Sequence, residues 1–267
     1  AVSDPDFPAG VDRPPAFHEL DATAAVTRHA GPVQLTIGGG VLSTLYEDAT
    51  SGGLPVEQGD RNNTVYSARI RAGYQATASL MPFVEADMAR RAYDRPTAGV
   101  ERSGHTYGWR VGIAVDRAPV LTGEVSVGTT HATYDNPALE AYSALTADGS
   151  LIWSPTSLTT VTFAGSTELR PTATVGSSGS VVYDGSVDLA YAWRRNFTVN
   201  WTGGISHERF QGTNAHTTTT SVGLGATWKV NRAMWLKAGY VHEWIEDSAP
   251  GGSYQSDEVR LEMRLQR

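Results

Sequence analysis

The residues able to do chemistry in this chain are acids and bases spaced two apart along extended-looking segments. Arg69 and Arg71 are followed by Glu85, Asp87 and Arg91, then by Arg110, Asp116, Glu124 and Asp148. Glu168, Arg170, Asp184, Asp188, Glu208, Lys237 and Glu243 continue the series, and Glu258, Arg260, Glu262 and Arg264 end it. Successive side chains of a strand point to opposite faces, so a spacing of two collects these charges on one side. Charges of both signs lining a passage can select solutes by charge. The same charges, closing on one another as ion pairs, can fill a narrow interior.

Strands must position them. From Phe17 onward, segments of 12–16 residues alternate apolar and polar positions. In Ser180–Trp193, Val181, Tyr183, Val187, Leu189, Tyr191 and Trp193 oppose Ser180, Asp184, Ser186 and Asp188. Thirteen such segments are predicted, at 17–29, 32–47, 62–77, 79–94, 104–117, 119–134, 139–153, 157–170, 179–193, 196–210, 214–229, 232–246 and 253–266. Tight linkers, among them Ala30-Gly31, Ala118-Pro119, Ser154-Pro155-Thr156 and Val230-Asn231, alternate with longer ones rich in Gly, Pro and Asp. Short turns on one rim and long loops on the other mark an outer-membrane barrel, with the short turns in the periplasm. Trp153, Trp193, Trp228 and Trp235 flank tight turns, and Tyr93, Tyr134 and Trp244 lie near the long loops. These seven are the expected membrane-interface aromatics.

Composition agrees. Charged residues make up 18% of the 267, and no apolar run approaches the ~20 residues of a membrane helix. A soluble β-sandwich of such long strands would leave the charged faces nothing to bury. The expected fold is therefore an all-β, antiparallel up-and-down transmembrane barrel of 12–14 strands over residues 17–267. Residues 1–16, with four prolines, form an irregular lead-in. Net charge is −7 without a basic tract, which argues against nucleic acid. No cysteine is present, so disulfides and cysteine-metal sites are excluded. No cofactor is implied.

Other candidate chemistry is sparse. His18, His29, His105, His131, His207, His216 and His242 show no metal-ligand spacing. Some outer-membrane barrels hydrolyse lipids with a Ser–His pair on the outer wall, for which Ser206 with His207, or His242, are the candidates. No Gly-x-Ser-x-Gly elbow exists. Asp135-Asn136 and Asp247-Ser248 are loop positions suited to Ca²⁺ or lipopolysaccharide, and equally ordinary turn residues.

The chain also resembles the putative β-barrel porin family of proteobacterial, mainly alphaproteobacterial, outer membranes. The resemblance is carried by Pro82-Phe83-Val84-Glu85-Ala86 with Tyr93-Asp94, by Trp153-Ser154-Pro155-Thr156-Ser157-Leu158, and by Val230-Asn231-Arg232 and Asp247-Ser248. It implies an outer-membrane location, a porin-like passive channel for small hydrophilic solutes or saccharides, and a link to surface-polysaccharide traffic. It implies no catalytic residue. Two departures stand out. Family members carry further strand sequence upstream, and such barrels often end in an aromatic residue, where this chain ends Leu265-Gln266-Arg267. Thirteen strands conflict with an even-numbered barrel; either one more lies upstream, or 17–29 does not span. The alternatives to a channel are a closed barrel anchoring a protein partner at the periplasmic side, and a lipid hydrolase. Outer-membrane lipid and lipopolysaccharide are the expected surroundings, and a narrow or partly filled lumen is expected.

Overall fold

The computed structural model describes residues 16–96, 99–170, 177–249 and 251–265. Most of the lead-in expected over 1–16 lies outside them. The long strands are β1 (Phe17–Ala30), β2 (Val33–Tyr46), β5 (Asn63–Tyr74), β6 (Leu80–Tyr93), β7 (Gly104–Arg117), β8 (Leu121–Tyr134) and β9 (Tyr142–Thr156). They continue as β10 (Thr159–Arg170), β11 (Ser180–Arg194), β12 (Phe197–Phe210), β13 (His216–Lys229), β14 (Met234–Asp247) and β15 (Tyr254–Leu265). Between β2 and β5, a small hairpin of β3 (Ala49–Ser51) and β4 (Leu54–Val56) precedes a 3-10 turn at Gly59–Arg61.

The thirteen long strands form one sheet in sequence order, each antiparallel to the next. All thirteen predicted segments are strands, and the short and long connections fall on the expected rims. One turn is displaced. Ser154, Pro155 and Thr156 belong to β9, and the turn is Ser157-Leu158, with a register shift between Thr159 and Val161. A bulge of this kind tolerates the missing proline N–H.

The segment at 17–29 is a full strand, since β1 pairs with β2 over fourteen positions from Phe17↔Tyr46 to Ala30↔Val33. Among the described residues the sheet is not closed, because β1 and β15 are its two edges. With thirteen strands between rims, those edges run in the same direction.

A 14-residue strand is about 46 Å long, more than the 9–11 tilted residues a membrane crossing needs. Little is packed into a conventional core. Instead one face exposes large apolar groups, including Trp109 (57%), Leu145 (68%) and Leu224 (56%). A contiguous surface of this kind is unsuited to water and suited to lipid. In lipid every backbone polar group must be paired, and the continuous ladders provide this between neighbouring strands.

Val111 sits mid-strand on the apolar face, opposite Val84 and Val127. Val111→Arg is expected to lower folding stability in bilayers by about 2–4 kcal/mol, the cost of a midplane cation. Ser186→Arg, mid-strand on the opposite face, should cost far less. Urea unfolding in lipid vesicles distinguishes the two.

Candidate functional site

The charged face is built by register. Arg71 lies opposite Glu85, and Glu85 opposite Arg110. One step along, Arg69 faces Asp87. On β8 and β9 the same parity carries Glu124 and Asp148. These residues close into a network. Arg71 donates through Nε to Glu85 at 2.7 Å and grips both oxygens of Glu124 at 2.9 Å. Arg110 donates to Asp87 at 2.8 Å and reaches Asp148 at 3.3 Å and Glu85 at 3.5 Å. The Phe83 ring lies 3.8 Å from the Arg71 guanidinium carbon.

This network reports curvature. Arg71 is on β5 and Glu124 on β8, three strand spacings or about 14 Å apart in a flat sheet. A two-oxygen contact across that gap requires the charged face to be concave. Glycines make the room: a Cβ at Gly112 would strike the Phe83 ring and the Val125 carbonyl. Glu85, 8% exposed, accepts a hydrogen bond from Arg71 and faces the charge of both arginines, which offsets the penalty of removing its carboxylate from water.

The remaining predicted charges share this concave face but do not join the network. Arg91 donates to Asn63 at 2.8 Å. Glu168 pairs with its strand neighbour Arg170, Lys237 with Glu262 at 3.3 Å, and Glu258 with Arg260. The Ser180 hydroxyl donates to Glu208 at 2.6 Å. Asp184 lies opposite Ser166 and Ser206, Asp188 opposite Thr162 and Thr202, and Glu243 opposite Ser221 and Ser256. Asp116 faces Thr122 near the short-turn rim. Among the described residues no cation pairs with Asp116, Asp184, Asp188 or Glu243. The Arg71–Arg110 network on β5–β9 is thus charge-compensated, whereas Asp116 on β7 and Asp184, Asp188 and Glu243 on β11–β14 stand among hydroxyls without an ion pair among the described residues.

A family model described as "Putative beta-barrel porin 2" matches residues 1–267. The chain belongs to the putative β-barrel porin family. Solved structures show the same fold. The FrpB iron transporter from Neisseria meningitidis (F5-1 variant) superposes with a TM-score of 0.57 at 12% identity, over 87% of this chain and 45% of that one. For the copper transporter OprC the TM-score is 0.53 at 12% identity, over 93% and 49%. The FpvAI–pyocin S2 complex gives 0.50 at 9% identity, over 92% and 44%. The chain spans less than half the length of these structures. No protein with a curated function matches it. Family and fold together place the barrel in the bacterial outer membrane.

The rim aromatics of this porin-family chain divide by parity. Trp153, Trp193, Trp228 and Trp244 are on the lipid-facing side. Tyr93, Tyr134 and Trp235 are not; they share the concave face with Arg91, Glu124 and Lys237. Distance from a strand end placed them near the rims of the sheet but said nothing about their face. Trp235 stacks 4.5 Å from the Lys229 ammonium and 5.8 Å from the Arg264 guanidinium. Tyr134 donates to the carbonyl of Ser178, which lies just before β11, at the inside of the long-loop rim. Tyr142, Phe83 and Asn63, which charge patterning alone passes over, belong to the same interior; parity was the signal that could have found them. In the adjoining loop, the Ser103 hydroxyl and amide hold the Glu101 carboxyl below its usual range.

Ser206 and His207 point to opposite faces and cannot act together. His207 contacts Thr218 at 2.8 Å and His242 contacts Asp257 at 2.7 Å. One Ser–His contact does exist on the outer wall, His131 Nδ1 to Ser143 Oγ at 2.9 Å. Among the described residues no carboxylate orients that imidazole.

Arg71→Met removes the partner of Glu124 and one of two partners of Glu85. Breaking such pairs costs about 3–5 kcal/mol when fully buried. Arg71 keeps about a quarter of its side chain exposed, so a loss of about 2–3 kcal/mol is expected. Urea unfolding should show it, with the loss reduced in an Arg71→Met/Glu124→Gln double variant.

Proposed function

We propose that this barrel is a passive channel for small hydrophilic solutes, saccharides among them, and that it prefers cations over anions. The observation that supports it is the asymmetry of the concave face. On β5–β9, Arg71 and Arg110 are held by carboxylates, so they present little free charge to a passing solute. On β11–β14, Asp184, Asp188 and Glu243 stand among Ser and Thr hydroxyls with no cation pairing them among the described residues. A surface of hydroxyls and spare carboxylates exchanges hydrogen bonds with a hydrated solute and attracts positive charge. That similar structures are described as iron and copper transporters fits a transport role, without giving the solute. A role in surface-polysaccharide traffic is the finer form of this reading.

Two other readings have observations of their own. The filled β5–β9 side and the Tyr134–Ser178 contact suit a closed barrel that anchors a partner. The His131–Ser143 contact suits a lipid hydrolase.

Planar-bilayer recording separates the three. The channel reading expects stepwise conductance with a reversal potential shifted toward the cation in a salt gradient. In Asp184→Asn/Asp188→Asn/Glu243→Gln that shift should shrink. No conductance from pure, folded protein contradicts it and favours the closed barrel. Ester hydrolysis lost in Ser143→Ala would favour the hydrolase.

A further inference from the structure

The two rims of the lipid-facing wall are chemically different. At the short-turn rim this wall carries Trp153, Trp193, Phe197 and Trp228. At the long-loop rim it carries Trp244 and a row of imidazoles. His18, His105, His131, His207 and His216 all lie within three residues of the long-loop end of their strands, and His242 lies five from its own. Register puts all six on the apolar side: His18 is opposite Leu45, His131 opposite Tyr107, His207 opposite Tyr183 and His242 opposite Val222. Of the seven histidines, only His29 is at the other rim and on the other face.

A polar headgroup layer at both rims would explain histidines scattered over both. It does not explain why six of the seven gather at one rim of this wall. The outer membrane differs between leaflets in a matching way, because the leaflet at the long-loop rim presents phosphorylated glycolipid headgroups.

A compact group of basic side chains lies on β12 and β13. Arg209 is exposed, lies directly opposite His216 and is two residues from His207 on the same face. The His207 and His216 rings are 6.0 Å apart. His216 Nδ1 donates to the Asn214 carbonyl at 3.2 Å, and His207 Nδ1 contacts the Thr218 hydroxyl. No described residue engages the Nε2 of either ring. The acids on this rim are mostly committed elsewhere: Glu47 to His18, Asp135 to Arg90, and Asp257 to His242 and Tyr240. Glu246, opposite Thr218, shares the group's face, and Asp247, opposite Thr217, is on the other. Arg209 has no carboxylate partner among the described residues.

We propose that His207, Arg209 and His216 form a binding site on the outer wall for the phosphate of an outer-leaflet glycolipid headgroup. The acyl chains run down the apolar strip formed by Ile205 and Leu224. Arginine supplies the fixed charge and a forked donor set for phosphate. The imidazoles supply further donors at headgroup height. The site rests on the outer-membrane location and is independent of any conductance.

The test is retention of lipid A by the folded, detergent-solubilised barrel, read by native mass spectrometry. Bisphosphorylated lipid A is compared with the same lipid after enzymatic dephosphorylation. The wild-type chain should retain the phosphorylated form about tenfold better, as charge-assisted contacts to phosphate predict. His207→Gln/Arg209→Gln/His216→Gln should lose that preference. Arg28→Gln, at the short-turn rim, should keep it. Arg209→Gln alone serves if the triple variant fails to fold, and should lower the preference severalfold. Equal retention of both lipids by wild type, or an unchanged preference in the Arg209 variants, would overturn the proposal.

Discussion

Everything in this molecule depends on one constraint, that neighbouring side chains on a strand leave it in opposite directions. In a membrane barrel those directions lead to different solvents. Lipid charges a penalty for each ion it meets, and water a penalty for each large apolar group. Strands of the length seen here satisfy both only if polarity changes at nearly every residue. A one-residue slip would invert an entire strand. The meander topology helps to prevent slips, because each register is fixed by a neighbour in sequence as well as by the two solvents.

The concave face then carries two kinds of electrostatics. On β5–β9 the charges serve one another. Arg71 and Arg110 bridge strands that are not neighbours, with Glu85 held between them, and so fix the curvature as well as the charge balance. Gly108 and Gly112 leave space above the sheet for these long side chains and for the Phe83 ring. On β11–β14, Asp184, Asp188 and Glu243 stand among hydroxyls without an ion pair among the described residues, the wall on which the proposed channel relies. The two halves divide labour between holding shape and meeting what passes.

Much of this was legible in the residues. The alternation marked all thirteen strands, the linker lengths marked the rims, and a spacing of two collected every predicted charge on one face. What could not be read was which charges meet. Arg71 and Glu124 are 53 positions apart and three strands distant, and their contact depends on curvature, which no local pattern encodes. Parity also settled what rim position alone did not. Tyr93, Tyr134 and Trp235 sit near strand ends but on the concave face, while Trp153, Trp193, Trp228 and Trp244 are on the apolar face. The histidines carried no motif. Their meaning came only when register placed six of them on one wall, near one rim. The Ser154-Pro155-Thr156 turn was misplaced because proline ordinarily ends a strand, and a bulge here absorbs it.

The natural absence of cysteine makes the central claim directly measurable. Single cysteines at successive positions of β12, from Gly203 through Ser206, can be tested in lipid vesicles with a water-soluble, membrane-impermeant thiol reagent. The account predicts alternation, with fast reaction at Gly204 and Ser206 and protection at Gly203 and Ile205. Uniform reactivity along the strand, or faster reaction at Ile205 than at Ser206, would contradict it.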